Sequence, residues 1–243
     1  MQTEPPKADP PKRKRRWFQF SLRTLMIVVV IVAIPCAWLG RKIERKRQER
    51  EAVAAIKKMG GLVGYDYQMA GAKPPGPDWL RNVLGENIFS EVASVSYYFG
   101  KANVTDTEAV QLRELAALQK LDLSDTSLTD AGLANLKGLI HLDTLDLSRT
   151  NVTDAGLKYL SGLNQLEALV LIRTDVSDAG LEGVKELTKL RQLYLPETNV
   201  SDAGLENLKE LTHLRYLDLR KTNVTDIGAT ELHKSLPNCR IEH

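Results

Sequence analysis

The sequence predicts an α/β repeat protein carried behind one membrane-spanning helix, and three observations point there. Residues 25–40 read LMIVVVIVAIPCAWLG, without a charge, between two basic flanks. From residue 97 onward the same strand-and-helix signature returns every 24 residues. Charge divides along the same line: residues 1–50 hold 13 Lys/Arg against 4 Asp/Glu, and the remainder holds 20 against 27. A folded part with net charge −7 repels phosphates, so no nucleic-acid partner is expected. With 43% hydrophobic residues, 16 Gly, 10 Pro and 2 Cys, the composition excludes disordered, collagen-like and disulfide-dense chains. Cys36 lies in the apolar run and Cys239 near the C-terminal end, so neither a bridge nor a cysteine metal site is expected.

The element order begins with a basic cytoplasmic tail at 1–17 and a transmembrane helix at 18–40. The uncharged 16 residues make a helix of about 24 Å, short of a hydrocarbon core of about 30 Å. Adding Phe18, Phe20 and Leu22 closes the gap, with Arg23 snorkelling to the interface and Trp17 and Trp38 bracketing the span. A cleaved signal peptide is the competing reading. Pro35 disfavours cutting after the apolar run, and the best small-x-small pattern, Ala52-Val53-Ala54, lies beyond a dense charge run. Lys and Arg tie at six on each flank, but the unbroken Lys12–Arg16 cluster and Arg23 favour an inside N-terminus, with the rest extracytoplasmic. Residues 41–58 read as a charged juxtamembrane helix with an apolar patch of Ala52, Val53, Ala55 and Ile56.

The repeat is legible letter by letter. LDLSDTSLTDAGLANL begins at Leu121, LDLSRTNVTDAGLKYL at Leu145, LVLIRTDVSDAGLEGV at Leu169, LYLPETNVSDAGLENL at Leu193 and LDLRKTNVTDIGATEL at Leu217. One step back lands on a degenerate copy at Tyr97, and one step forward lands on Ile241. Alternating leucines such as Leu145 and Leu147 make a short strand with one buried face. A threonine column follows at Thr126, Thr150, Thr174, Thr198 and Thr222, whose hydroxyls are expected to bond the turn backbone. Ser/Thr-Asp then starts each helix, and Thr105 to Glu108 forms a complete capping box. A glycine column from Gly132 to Gly228 implies close approach between coils. Residues 59–96, which break the period, are expected to cap the N-terminal end, and residues 97–243 hold the repeats with a C-terminal cap from about 230.

On these residues the chain resembles the leucine-rich repeat family, in its 24-residue bacterial class with threonine where many members carry asparagine or cysteine. The layout also resembles planctomycete membrane-anchored members, through the basic head, FSLRTLMIVV, the GYDY element and the closing LPNC. The resemblance implies a right-handed solenoid with a concave parallel sheet, and binding rather than catalysis.

Candidate sites are few. His141, His213, His233 and His243 read as solvated, since the two that share a repeat column lie about 14 Å apart at ~4.8 Å per strand. No nucleophile elbow or phosphate loop appears, so neither enzyme activity nor a cofactor or metal is expected. The aspartate column, Asp106 to Asp226, is accounted for by helix capping. Asp122 and Asp146, one strand apart, are solvated or bind a cation or a basic partner. The Asn-x-Ser/Thr triplets at Asn103, Asn151, Asn199 and Asn223 follow from the repeat itself. Among outward strand positions, repeats two and three offer Lys120, Asp122, Ser124, Asp125, Thr144, Asp146, Ser148 and Arg149, all read as ordinary solvated residues. Repeats four to six differ: Val170, Ile172, Arg173, Tyr194, Tyr216 and Arg220, with Pro196, Glu197, Asp218 and Lys221, make an apolar and aromatic patch rimmed by charge. The expected function is protein binding at the cell envelope by a membrane-anchored repeat protein. Two rivals are a structural spacer between envelope layers, and an adaptor like the leucine-rich receptors of ubiquitin-type ligases, for which no F-box-like segment is visible.

Overall fold

A computed structural model of the 243-residue chain describes residues 22–85, 87–97 and 104–243. It divides into two compact units, Met1–Glu44 and Arg45–His243. Helix α1, Leu22–Lys58, passes from the first unit into the second and continues through Pro35. In the first unit Met26, Val29, Val30, Ile31, Val32, Ile34, Trp38 and Leu39 are 48–65% exposed, so this apolar surface is not covered by described protein. Among the described residues no helix is long and apolar enough to cross a membrane. Trp17, Phe18 and Phe20, which the expected anchor needs, lie outside the described residues.

The second unit is built on one eight-stranded sheet in sequential order. β1 (Leu62–Tyr65) pairs antiparallel with β2 (Val92–Ser96), and every later pairing is parallel. The later strands are β3 (Lys120–Asp122), β4 (Thr144–Asp146), β5 (Ala168–Val170), β6 (Gln192–Tyr194), β7 (Tyr216–Asp218) and β8 (Arg240–Glu242). Between β1 and β2 run α2 (Asp66–Met69) and α3 (Asp78–Leu84). Each repeat returns through a short helical segment: α4 (Asp106–Ala109), α5 (Asp130–Leu133) and α6 (Asp154–Leu157) run on into 3-10 helices at Val110–Glu114, Ala134–Gly138 and Lys158–Leu160, followed in later repeats by α7 (Asp178–Val184), a 3-10 helix alone at Gly204–Leu208, and α8 (Asp226–Ser235).

From β3 to β8 the partners step by 24, as Leu145↔Leu169 and Leu217↔Ile241 show. The first copy departs from the sequence expectation. Val95, not Tyr97, stands opposite Leu121. In sequence Tyr97 and Val104 are 7 positions apart and Leu123 and Leu128 are 5 apart, which accounts for the slip of two. Because the slip is even, the alternation of faces survives and Val95 and Tyr97 remain buried.

The core is a continuous ladder of apolar side chains from Ala52 to Cys239. Leu121, Leu145, Leu169, Leu193 and Leu217 come from the strands, and Leu133, Leu157, Leu181 and Leu205 from the helical side. The end of this ladder is covered from the N-terminal side by more than the 59–96 segment, because Ala52, Val53 and Ile56 of α1 join the same core. Beside them Lys46, 2% exposed, donates to Glu49 Oε2 and Glu91 Oε2, each at 2.8 Å, and to the Ser90 carbonyl. Burial raises the Glu49 carboxyl above its ordinary value against the pull of Lys46.

Two side-chain ladders order the stack, one closing the turn within each coil and one joining successive coils. Thr126, Thr150, Thr174, Thr198 and Thr222 donate to the carbonyl three residues back at 2.6–2.8 Å, satisfying the turn as expected. The aspartate column does something different from capping its own helix. Asp154 Oδ1 accepts from the Ser177 backbone N–H at 2.7 Å and Oδ2 from the Ser177 hydroxyl at 2.6 Å, one coil further on. Asp106, Asp130, Asp178 and Asp202 repeat the arrangement with Thr129, Thr153, Ser201 and Thr225. The glycine column serves the same contact: a Cβ at Gly156 would collide with Asp130 Oδ1. The capping box at Thr105 and Glu108 forms as expected.

Candidate protein-binding face

Strand alternation sorts side chains to the two faces of the sheet. Opposite the leucines, consecutive strands line up Lys120, Thr144, Ala168, Gln192, Tyr216 and Arg240 in one row. A parallel row holds Ser96, Asp122, Asp146, Val170, Tyr194, Asp218 and Glu242. Val170, Ile172, Tyr194 and Tyr216 are half-exposed on this solvent face, and Val170 and Tyr194 are direct cross-strand partners. The Tyr194 and Tyr216 rings lie 5.1 Å apart at a 46° tilt, a contact that fixes both. The Arg240 guanidinium stands 6.0 Å from the Tyr216 ring centroid. The structure therefore brings together four of the six residues singled out from the sequence as one apolar surface.

The two arginines sit differently. Arg173 belongs to a turn column with Asp125, Arg149, Glu197 and Lys221, all left-handed at φ +54° to +58°. L-residues adopt this conformation at a cost, so the column marks a turn that the coil geometry imposes. It projects charged side chains outward in a row. Arg149 pairs with Asp125 at 3.3 Å, and Glu197 receives Arg173 at 2.5 Å and Lys221 at 3.0 Å. Hydrogen bonds from Arg173 and then Lys221 pull the Glu197 carboxyl down to about 2. Arg220 folds back onto the face and chelates Asp218 through both carboxylate oxygens at 2.9 and 2.5 Å. Asp218 is only 1% exposed, and Arg220 holds it below its ordinary value despite that burial.

Several positions read as outward-facing and exposed are not. Ser124, Ser148 and Pro196 are buried, because the strand continues beyond its ladder and each coil covers the next. The two serines donate from N–H and Oγ to Asp122 Oδ1 and Asp146 Oδ1 at 2.6–3.0 Å. Burial, and then the neighbouring Asp122 and Asp125, raises the Asp146 carboxyl above its ordinary value despite the Ser148 bonds. Sequence reasoning missed the left-handed column, since glycine, its usual mark, is replaced there by charged residues. The only available signal was a polar residue always preceding the threonine.

The four histidines are exposed or half-exposed, and His213 Nδ1 lies 3.0 Å from the Thr188 carbonyl. Among the described residues no group of three or more His, Cys, Asp or Glu side chains could hold a metal ion. Both cysteines are free, and burial pushes the Cys239 thiol up to about 11.

With this geometry in view, the coils are leucine-rich repeats. Residues 116–176 match a family model for the leucine rich repeat and residues 210–232 match a second one, so these coils carry the repeat of the leucine-rich repeat family. Solved structures that align with it include a leucine-rich repeat protein of Leptospira interrogans, at 22% identity over 55% of this chain and 33% of that one, TM-score 0.46. Internalin C2 of Listeria monocytogenes aligns at 27% identity over 62% of this chain and 70% of its own, TM-score 0.47. Another Listeria monocytogenes internalin aligns at 21% identity over 55% and 43%, TM-score 0.41. The chain thus spans about a third of the Leptospira chain's length. No curated protein matches the sequence.

Proposed function

We propose that this is a single-pass membrane-anchored leucine-rich repeat protein that binds a protein partner through the solvent face of repeats four to six and catalyses no reaction. The carrying observation is the cluster of Val170, Ile172, Tyr194 and Tyr216, contiguous on a face that no described part of the chain covers. Clustered aromatic side chains in a charged surround are the composition of a binding hot spot. The anchor is the span at residues 18–40, supported by the exposed apolar side chains of α1 between Met26 and Leu39. The basic head is assigned to the cytoplasmic side and the repeats to the extracytoplasmic side. Full-length protein should stay with the membrane pellet in alkaline carbonate; release, or a mature N-terminus near Ala55, overturns the anchor. A photo-crosslinkable residue at Gln192 should trap a partner in intact cells, and one at Lys158, on the helical side, should not. Adding Tyr194→Ala and Tyr216→Ala to the Gln192 probe should cut trapping by well over about tenfold. Unchanged trapping by that folded variant removes the face as the binding site.

A further inference from the structure

The acids on this face are balanced at one end and not at the other. At the C-terminal side, Arg220 neutralises Asp218, and Arg240 pairs with Glu242 at 2.6 Å. At the N-terminal side, Asp122 and Asp146 stand on adjacent strands as direct register partners. Asp122 accepts from Ser124 and Ser96, and Asp146 from Ser148, so their bonds come from hydroxyls and amides without a cation. The nearby Arg149 is committed to Asp125. Among the described residues no ion pair joins Lys120, two positions before Asp122 on the same face, to either carboxylate. The next register position after Asp146 is Val170, followed by Tyr194. At ~4.8 Å per strand the acid pair and the apolar pair are centred about 10 Å apart, within reach of two neighbouring side chains of one bound segment.

We propose that the solvent face of β3 to β6 binds a protein segment presenting a Lys or Arg beside an aromatic or aliphatic side chain, with the cation over Asp122 and Asp146 and the apolar group over Val170 and Tyr194. The inference rests on the protein-binding reading of this face and assigns its partner's chemistry. Charge complementarity carries it. A half-buried acid pair without a cation gains an electrostatic partner on binding, while the adjoining apolar strip excludes water around the contact. The same pairing confers selectivity, because an acidic or purely apolar segment would leave the two carboxylates desolvated and unpaired.

The test is a displayed random-peptide library selected on the full chain in detergent micelles. Selected peptides should be enriched in Lys or Arg next to an aromatic or aliphatic residue. Replacing that Lys by norleucine in the best peptide should weaken binding to the unmodified protein by at least about tenfold, with no effect on the protein's folding. The protein variant Asp122→Asn/Asp146→Asn keeps acceptors for both serines and should weaken binding similarly, and added salt should do the same. Peptides that depend on Tyr194 and Tyr216 but carry no enriched cation, or tolerate norleucine, overturn the inference and leave the face as a binding site. Peptides indifferent to the tyrosines as well, or a library yielding no binder, count against both readings.

Discussion

At the scale of single residues the coils are held by a three-way fit that only small groups allow. Asp130 spans to the next coil, receiving the Thr153 N–H and hydroxyl at 2.8 and 2.7 Å, and Gly156 leaves the space its carboxylate occupies. Gly156→Ala should therefore destabilise by about 1–3 kcal/mol, although alanine is the better helix former. The cost is specific to that contact, so it should shrink by about 1 kcal/mol or more when Asp130→Ala is already present. Urea denaturation midpoints of the two single variants and the double variant decide it. Strict additivity would mean the glycine column answers to something other than the aspartate.

At the scale of the element, each strand has few ladder residues and depends on its turn. Leu147 is fully buried just after β4, while Asp146 beside it faces the other way and holds only Ser148. Leu147→Ala should cost about 2–5 kcal/mol through lost contacts and the remaining cavity. Asp146→Ala should cost nearer 1 kcal/mol, the worth of the bonds from Ser148. Equal shifts in chemical denaturation would contradict the assignment of faces. The same element shows why the first coil was misplaced by two residues. A period read backward presumes equal coil length, and the extra residues between β2 and α4 violate that without disturbing the alternation.

At the scale of the whole molecule, a stack of coils needs its exposed core end closed, and part of α1 does this together with the antiparallel β1–β2 pair. The closure is pinned by a buried cation, with the Lys46 side chain 3% exposed and Glu49 8%. Lys46→Met should destabilise by about 3–5 kcal/mol, because Glu49 is left buried without its partner. Lys46→Met together with Glu49→Leu should recover most of that loss, since the pair's desolvation penalty disappears with it. Denaturation of the full chain in detergent micelles reports both. A cost below about 1 kcal/mol for Lys46→Met alone would show that the pair does not secure the closure.

The sequence by itself determined the repeat length, the inward leucines, the threonine ladder and the residues of the apolar strip. These follow from periodicities of two and of 24, which the chain writes directly into residue order. It also marked the apolar run, whose environment the side chains of α1 leave uncovered. Only the tertiary structure decided what the aspartates do, because their partners lie one coil away and Ser/Thr-Asp has the same appearance whether it caps its own helix or bridges to the next. It alone decided that Arg173 and Arg220 are spoken for by Glu197 and Asp218 while Asp122 and Asp146 have no cation. Pairing depends on where a flexible side chain ends after the turns are formed, and the left-handed turn that aims the outer column is set by coil stacking, not by local propensity.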